Sequence, residues 1–568
     1  MARATNPATP TARNGGQILV ANLLAQGVDL AFCVPGESYL AVLDALYDAR
    51  EQIRLLVCRQ EGGAAAMAEA HGKLTGRPGI CFVTRGPGAS NAAIGLHTAA
   101  QDSTPMILFV GQVGGDFAER EAFQEIDYRQ MYGSVVKWVA QIDRAERIPE
   151  YVARAFRVAM SGRPGPVVIA LPEDMLTTVV VTDDVPRVEA AVAWPEPAAV
   201  TALEGELSTA QSPLLLLGGS GWSADACRDI ALFAEAYSLP VACGFRSQDL
   251  FDNSHAQYAG DVGIAINPKL AARVRDADLL IVVGERLGEM TTGGYSLIRP
   301  PLPGPRLVHV HPGAEELGSV YQPALAIQAS MPAFAAVVAK SRPAAQPPWT
   351  QKTIDAHADY LAWQQPRPMA GELDMWKVLA SLREHLPADA ILTNGAGNYT
   401  VWLHRLYRYR PYRTQLAPYS GAMGYSVPAA VAAKAAQPER TVVCWSGDGC
   451  FQMNGQELAT AIQYDLAIVF IIVDNGMYGT IRMHQERHYP ARVHGTDLRN
   501  PDFAALAHAY GAHGEAVTRT EEFGPALDRA LAAGRAAVLW LRLDPQALTM
   551  NASLDEIRAQ SLRAQASG

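Results

Sequence analysis

Short runs of aliphatic and β-branched residues recur along the whole chain, at 80–83, 106–110, 167–170, 214–217, 279–283, 307–310, 442–445 and 467–473. Nearly every position in them is apolar, so both faces of each run are hydrophobic. A strand half-exposed in an antiparallel sheet alternates polar and apolar residues. A parallel strand covered by helices on both sides does not. Ala-rich, helix-like stretches separate the runs. Together these patterns predict an α/β chain with several doubly wound parallel sheets.

Two segments interrupt the alternation. Residues 181–200 and 341–350 each carry three prolines among polar neighbours. Such stretches resist helix and sheet and act as linkers. They divide the 568 residues into three domains of ordinary size, expected at 13–180, 195–340 and 365–555. No short internal repeat is present. The first and third segments share the order strand, Gly-rich turn, helix, which suggests related folds. Residues 1–16 are polar and lack the apolar segment of a secretory signal. A frayed terminus is expected there rather than a transit-like peptide.

Charge and hydropathy remove whole classes of function. Lys and Arg total 47 against 57 Asp and Glu, a formal charge of −10, and no basic run offsets it. Nucleic acid is therefore an unsuitable partner. The longest purely apolar run, 466–473, has eight residues, whereas a membrane-spanning helix needs about 20. A soluble protein is expected. Its seven cysteines (Cys33, Cys58, Cys81, Cys227, Cys243, Cys444 and Cys450) are odd in number and form no CxxC pair. That argues against a disulfide framework or a zinc site and for a reducing, cytoplasmic setting.

The strongest local signal lies at 442–449, where an apolar strand runs into Gly447-Asp448-Gly449. The next strand ends in Asp474-Asn475-Gly476. Both polar clusters fall at the carboxyl ends of parallel strands, where α/β sheets bind ligands. Asp448 and Asn475 are 27 residues apart, about one βαβ crossover, so the fold brings them together. The pattern suits a diphosphate held through a divalent cation. Magnesium takes oxygen ligands, a few from protein and the rest from phosphate and water. Asp448 offers a carboxylate, Asn475 an amide oxygen and Met477 a backbone carbonyl. Gly447 and Gly449 let the backbone approach phosphates closely. Taken alone, GDG would be only a turn between strand and helix; the Asn-Gly turn one crossover later decides for the metal.

This pairing resembles the thiamine-diphosphate motif, GDG followed one crossover later by Asn-Asn. Here Asp474-Asn475 replaces Asn-Asn. In that motif the second Asn is the metal ligand, so the departure leaves the ligand set intact. The same cofactor needs a carboxyl group that exchanges a proton with its pyrimidine ring nitrogen. Glu61, after a short strand and leading an Ala-rich helix, is a candidate. By position alone it reads as a first-turn charge favoured by the helix dipole.

The surrounding sequence changes that balance. Residues 57–112 include the Glu61 segment, G-K-L-T-G-R-P-G at 72–79, Gly86-Pro87-Gly88-Ala89-Ser90-Asn91 and Gly111-Gln112. With Phe123-Gln124-Glu125, Lys137-Trp138 and Leu171-Pro172-Glu173-Asp174 they closely resemble the pyrimidine-binding domain of the acetolactate synthase family. The likeness spans most of 15–545. It implies three α/β domains: pyrimidine-binding, Rossmann-like central and diphosphate-binding.

The resemblance also implies roles. Glu61 activates the cofactor, and Gln124 reaches it from the same side. Gly397, Asn398 and Tyr399 lie over the diphosphate. The Gly421 carbonyl accepts from the exocyclic amine, and Met423 is the thioether wedge that bends the cofactor. Gly36, Gly447, Gly449, Cys450 and Tyr478 complete its surroundings. The site is shared between two chains, so a homodimer is the minimum and a homotetramer is expected.

Several positions depart from the family. Glu37 and Arg85 stand where small residues are usual; they reshape the substrate pocket or form a surface ion pair. His484 replaces a Trp that shapes the pocket for the second 2-oxo acid, bringing a titratable group that acts on substrate protons or hydrogen-bonds a neighbouring loop. In the middle segment, 284–290 lacks the family's flavin-contacting pattern, and His309-Val310-His311-Pro312 replaces His-Ile-Asp. These changes favour a structural middle domain over one that binds FAD. The activity implied is decarboxylation of a 2-oxo acid on thiamine diphosphate and Mg²⁺, then carboligation to a second carbonyl. Simple decarboxylation or cleavage of a 2-hydroxyacyl thioester is the alternative. Intact Glu61, Asp448 and Asn475 argue against a non-catalytic member.

Overall fold

The computed structural model describes residues 11–566. The apolar runs form the centres of three six-stranded sheets, every one parallel throughout. The first sheet runs Arg54–Val57, Leu30–Cys33, Gly79–Val83, Met106–Gln112, Pro166–Pro172, Trp138–Gln141. The third runs Gln415–Leu416, Ile391–Asn394, Val442–Gly447, Val469–Asp474, Ala537–Arg542, His513–Val517. Numbered along the chain within each sheet, both follow the same order, 2-1-3-4-6-5. The kinship expected from their shared motif order is thus a shared topology.

The middle sheet differs. It runs Tyr258–Asp261, Val241–Cys243, Pro213–Leu217, Leu279–Val283, Arg306–His311, Leu325–Gln328, the doubly wound order 3-2-1-4-5-6. In all three sheets the strand order reverses between two neighbouring strands, opening a crevice at their carboxyl ends. In the third sheet those neighbours are Ile391–Asn394 and Val442–Gly447.

The chain divides into two units at Ala191/Val192, so the middle and third sheets belong to one unit. The proline-rich 341–350 does not end the middle layer. Beyond it the helix Thr350–Trp363 returns to the middle sheet. Trp349 Nε1 donates to the Tyr237 carbonyl (2.9 Å) and Thr353 Oγ1 to the Ser238 carbonyl (2.6 Å).

The frayed terminus needs correction. Residues 1–10 lie outside the described residues, but Arg13–Asn14 pairs antiparallel with Val179–Val180, and a helix begins at Gly15. Asn14 caps that helix, its Oδ1 accepting from Gln17 N–H at 2.9 Å. No disulfide joins the seven cysteines, and six of them are buried. Among the described residues no helix is long and apolar enough to cross a membrane.

Candidate active site

The third sheet carries the metal motif at its switch point. Val442–Gly447 pairs in register with Val469–Asp474, Gly447 opposite Val473, so Asp448 and Asn475 emerge side by side. Asp448 and Gly449 are not in a turn, as an isolated GDG suggests. They open the helix Asp448–Asn454 directly off the strand, with Gly447 as its N-cap. The first N–H groups of a helix lack intrahelical acceptors.

A cavity of about 210 Å³ opens there. Its lining includes Gly397, Asn398, Tyr399, Gly421, Met423, Gly447, Asp448, Gly449, Cys450, Asn475, Met477 and Tyr478, all expected from sequence. Thr480 and Leu548 also line it, and sequence reasoning missed both. A methyl group on Gly447 would lie 2.7 Å from the Tyr399 ring, and one on Gly449 would lie 2.8 Å from the Tyr478 ring. These two glycines keep the cradle open. Gly421 has φ +67° with open space beside it.

Several expected contacts prove to be brackets. The Cys450 thiol accepts from Gly424 N–H (3.1 Å) and Asn454 Nδ2 donates to the Gly424 carbonyl (2.9 Å). They tie the Gly421–Met423 loop to the metal helix. The Asn398 side chain does not face a phosphate freely. Its Oδ1 accepts from Thr480 Oγ1 at 3.0 Å and its Nδ2 donates to the Leu548 carbonyl at 3.4 Å. The 475–478 loop is anchored from outside the motif: Tyr478 N–H donates to the Thr496 carbonyl and Leu498 N–H to the Gly476 carbonyl, both at 2.8 Å.

Asp448 is buried, and burial together with the neighbouring Asp474 carboxyl raises its carboxyl above the usual carboxylate range. Asn500 Nδ2 donates to both carboxylates, at 2.8 Å to Asp448 and 2.7 Å to Asp474. A divalent cation on Asp448 would relieve this crowding of negative charge. The Tyr399 hydroxyl is buried with no hydrogen-bond partner, and burial holds its phenol well above the usual range, so it stays a donor. A buried donor without an acceptor, a glycine cradle and an oxygen-only ligand set of Asp448, Asn475 and Met477 together fit a metal-bound diphosphate.

The first sheet positions the other expected residues. Glu61 begins the helix Glu61–Thr75, directly after Arg54–Val57. It is half-buried, and Asn91 Nδ2 donates to its Oε2 at 2.9 Å. Asn91 lies in the quoted Gly86–Asn91 motif, but sequence gave it no role. Gln124 adopts φ +66°, and its carbonyl accepts from Gly86 N–H at 2.9 Å. Gly36 packs against Thr84. Arg85 forms its ion pair with Glu173 and also donates to the Phe123 carbonyl (3.1 Å), while Glu37 stays exposed. The expected ion pair between Arg85 and Glu37 is not formed; Arg85 pairs with Glu173 instead.

His484 does not line the cavity. It is exposed on the helix Gly479–His488, its ring parallel to that of His488 with centroids 6.1 Å apart. Partial burial, Arg487 and His488 lower its pKa.

The middle sheet's crevice is filled. Glu285 follows Leu279–Val283 and is buried, its Oε2 pressed against the backbone of Gly218 and Gly244. Oε1 accepts from Arg286 N–H at 3.2 Å, whereas Oε2 has no hydrogen-bond partner. Burial pushes this carboxyl up to about 7. His309 Nε2 donates to the Glu285 carbonyl at 2.9 Å. A dinucleotide at this switch point would place its diphosphate on the glycine turn, where a carboxyl already lies. The residues present do not fit FAD there.

Comparison with known proteins agrees with this geometry. Residues 13–131 match the thiamine pyrophosphate enzyme N-terminal TPP binding domain, 200–338 the central domain and 395–540 the C-terminal TPP binding domain. The acetolactate synthase isozyme 2 large subunit of Escherichia coli (strain K12) is 33% identical over 94% of this chain and 96% of its own. The acetolactate synthase large subunit of Parasynechococcus marenigrum (strain WH8102) is 34% identical over 90% of this chain and 84% of its own.

Proposed function

The chain belongs to the thiamine pyrophosphate enzymes of the acetolactate synthase family, and from that premise we propose that it decarboxylates pyruvate and joins the fragment to a second 2-oxo acid. Thiamine-diphosphate-dependent decarboxylation and carboligation of 2-oxo acids is the chemistry of this family. The observation that supports the reading most is the meeting of Asp448, Asn475, Met477, Tyr399 and the Gly447/Gly449 cradle in one cavity. When bound, the cofactor supplies a nucleophilic carbon and the electron sink for decarboxylation.

The chain's own groups do the rest. The Asp448 carboxylate, the Asn475 amide oxygen and the Met477 carbonyl would hold Mg²⁺. The Tyr399 hydroxyl would donate to the diphosphate. Met423 shapes the wall on which the cofactor bends. Glu61, oriented by Asn91, would hold the proton that the pyrimidine nitrogen of the cofactor needs. Gln124 and His484 serve the substrate side. The exposure of His484 supports placing it where a second copy of the chain completes the site, in a dimer or tetramer.

A product assay tests this reading. Full-length protein is incubated with pyruvate, thiamine diphosphate and Mg²⁺, alone and with a panel of other 2-oxo acids. Carbon dioxide with a 2-hydroxy-3-oxo acid product is expected. Aldehyde as the sole organic product would contradict carboligation.

A further inference from the structure

One residue beside the metal ligands has no part in the chemistry above. Asp474 ends the strand Val469–Asp474, next to Asn475, yet does not line the cavity. Its oxygens face donors. Oδ2 accepts from Trp540 Nε1 at 2.8 Å; Oδ1 accepts from Gly476 N–H at 2.9 Å and from Asn500 Nδ2 at 2.7 Å. The last two donors also serve Asp448 Oδ2, at 3.1 and 2.8 Å. One backbone N–H and one carboxamide therefore bridge two carboxylates. Gln452 Nε2 donates to Asn500 Oδ1 at 2.8 Å, which fixes the carboxamide with its nitrogen toward the acids.

The motif this chain resembles has Asn at position 474. That residue is not accommodated here. With three N–H donors converging on the two oxygens, a carboxamide would turn its own NH₂ against one of them. The acid and its donors form a matched set, and they place a second negative charge beside the metal ligand Asp448.

We propose that Asp474, held against Asp448 by Asn500, is the second anionic charge of the metal seat, and that with it the chain takes up a divalent cation before the diphosphate arrives. The inference rests on the cofactor reading above. Where one carboxylate faces the metal, much of the neutralising charge comes from the ligand's phosphates. Here the protein supplies two charges, and attraction to a doubly charged ion grows with each.

The test must remove the charge without breaking the hydrogen bonds. Trp540→Phe deletes the donor at Oδ2, so Asp474→Asn in that background keeps Oδ1 for Gly476 and Asn500 and turns its NH₂ toward the vacated side. Mn²⁺ binding is measured by electron paramagnetic resonance on full-length, cofactor-free protein. One Mn²⁺ per chain, displaced by Mg²⁺, is expected for the wild type. The D474N/W540F protein is expected to bind about tenfold or more weakly than W540F. Equal affinities for these two, with matching circular dichroism, would overturn the proposal. So would a cofactor-free wild type that takes no Mn²⁺ yet binds thiamine diphosphate with Mg²⁺. A wild type that binds neither would overturn the cofactor reading as well.

Discussion

Replacing Glu285 with Gln isolates one buried carboxyl of the middle domain. The folded protein holds this carboxyl at about 7 against an ordinary 4.5. At about 1.4 kcal/mol per pH unit, the gap amounts to roughly 3 kcal/mol. The sign follows from which form burial disfavours. Below pH 4.5 the group is protonated in folded and unfolded chain alike and costs nothing. As pH rises, the unfolded chain releases the proton first, and stability falls until the folded carboxyl also ionises near 7. Gln cannot titrate. Its oxygen replaces Oε1 as acceptor for Arg286 N–H, and its NH₂ takes the unpartnered place of Oε2. That adds a pH-independent cost of about 1–3 kcal/mol.

The variant should therefore be the less stable protein at pH 5 and should draw level with or overtake the wild type by pH 8.5. The nearby Arg286, His309 and Glu316 are present in both proteins, so their titrations cancel in the difference. For a unit as large as residues 192–568, 1 kcal/mol moves Tm by about 1–2 °C. The difference between the two Tm curves should change by roughly 3–5 °C across the range. Differential scanning calorimetry of both full-length proteins reads this directly. Parallel curves would show that Glu285 is ionised in the fold or finds a partner, and would remove the argument that it blocks the glycine turn.

Other outcomes follow from single contacts. Glu61→Gln should slow proton exchange at the thiazolium carbon by about 100-fold or more, and Asn91→Ala, which frees Glu61 Oε2, by less; exchange monitored by proton NMR distinguishes them. In Gly449→Ala the new methyl lies 2.8 Å from the Tyr478 ring, which lines the cavity and must shift. Affinity for thiamine diphosphate should fall at least about tenfold, with about 1–3 kcal/mol lost in thermal unfolding. Lys73→Met removes the ammonium between the buried Glu69 and Asp102 carboxylates, with Lys73 Nζ at 3.3 Å from Glu69. Thermal melts should show a loss of about 3–5 kcal/mol, partly restored by Lys73→Arg.

Much of this architecture is legible in the sequence because parallel strands announce themselves by being apolar on both faces. The cofactor cavity is legible because Asp448, Asn475 and the flanking glycines sit at strand ends, where local order fixes their position. What escaped reading depends on distant partners. Asn500 reaches the metal acids only because 496–498 zips onto the 476–478 loop. Thr480 and Leu548 meet the cavity through Asn398. Arg85 finds Glu173, 88 positions along the chain. Glu285 is one acid among many until the fold buries it over two glycine turns. His484 is the reverse case: its motif position suggests a catalytic group, but within one chain it points to solvent.

An acidic chain meets an anionic cofactor through a cation, and calorimetry tests this most directly. Thiamine diphosphate is titrated calorimetrically into the full-length, cofactor-free protein with Mg²⁺ and again with EDTA. The account predicts one site per chain with Mg²⁺ and none with EDTA, because Asp448, Asn475 and Met477 meet the diphosphate through the ion. Saturable binding of equal affinity in EDTA, or none in either condition, would contradict it.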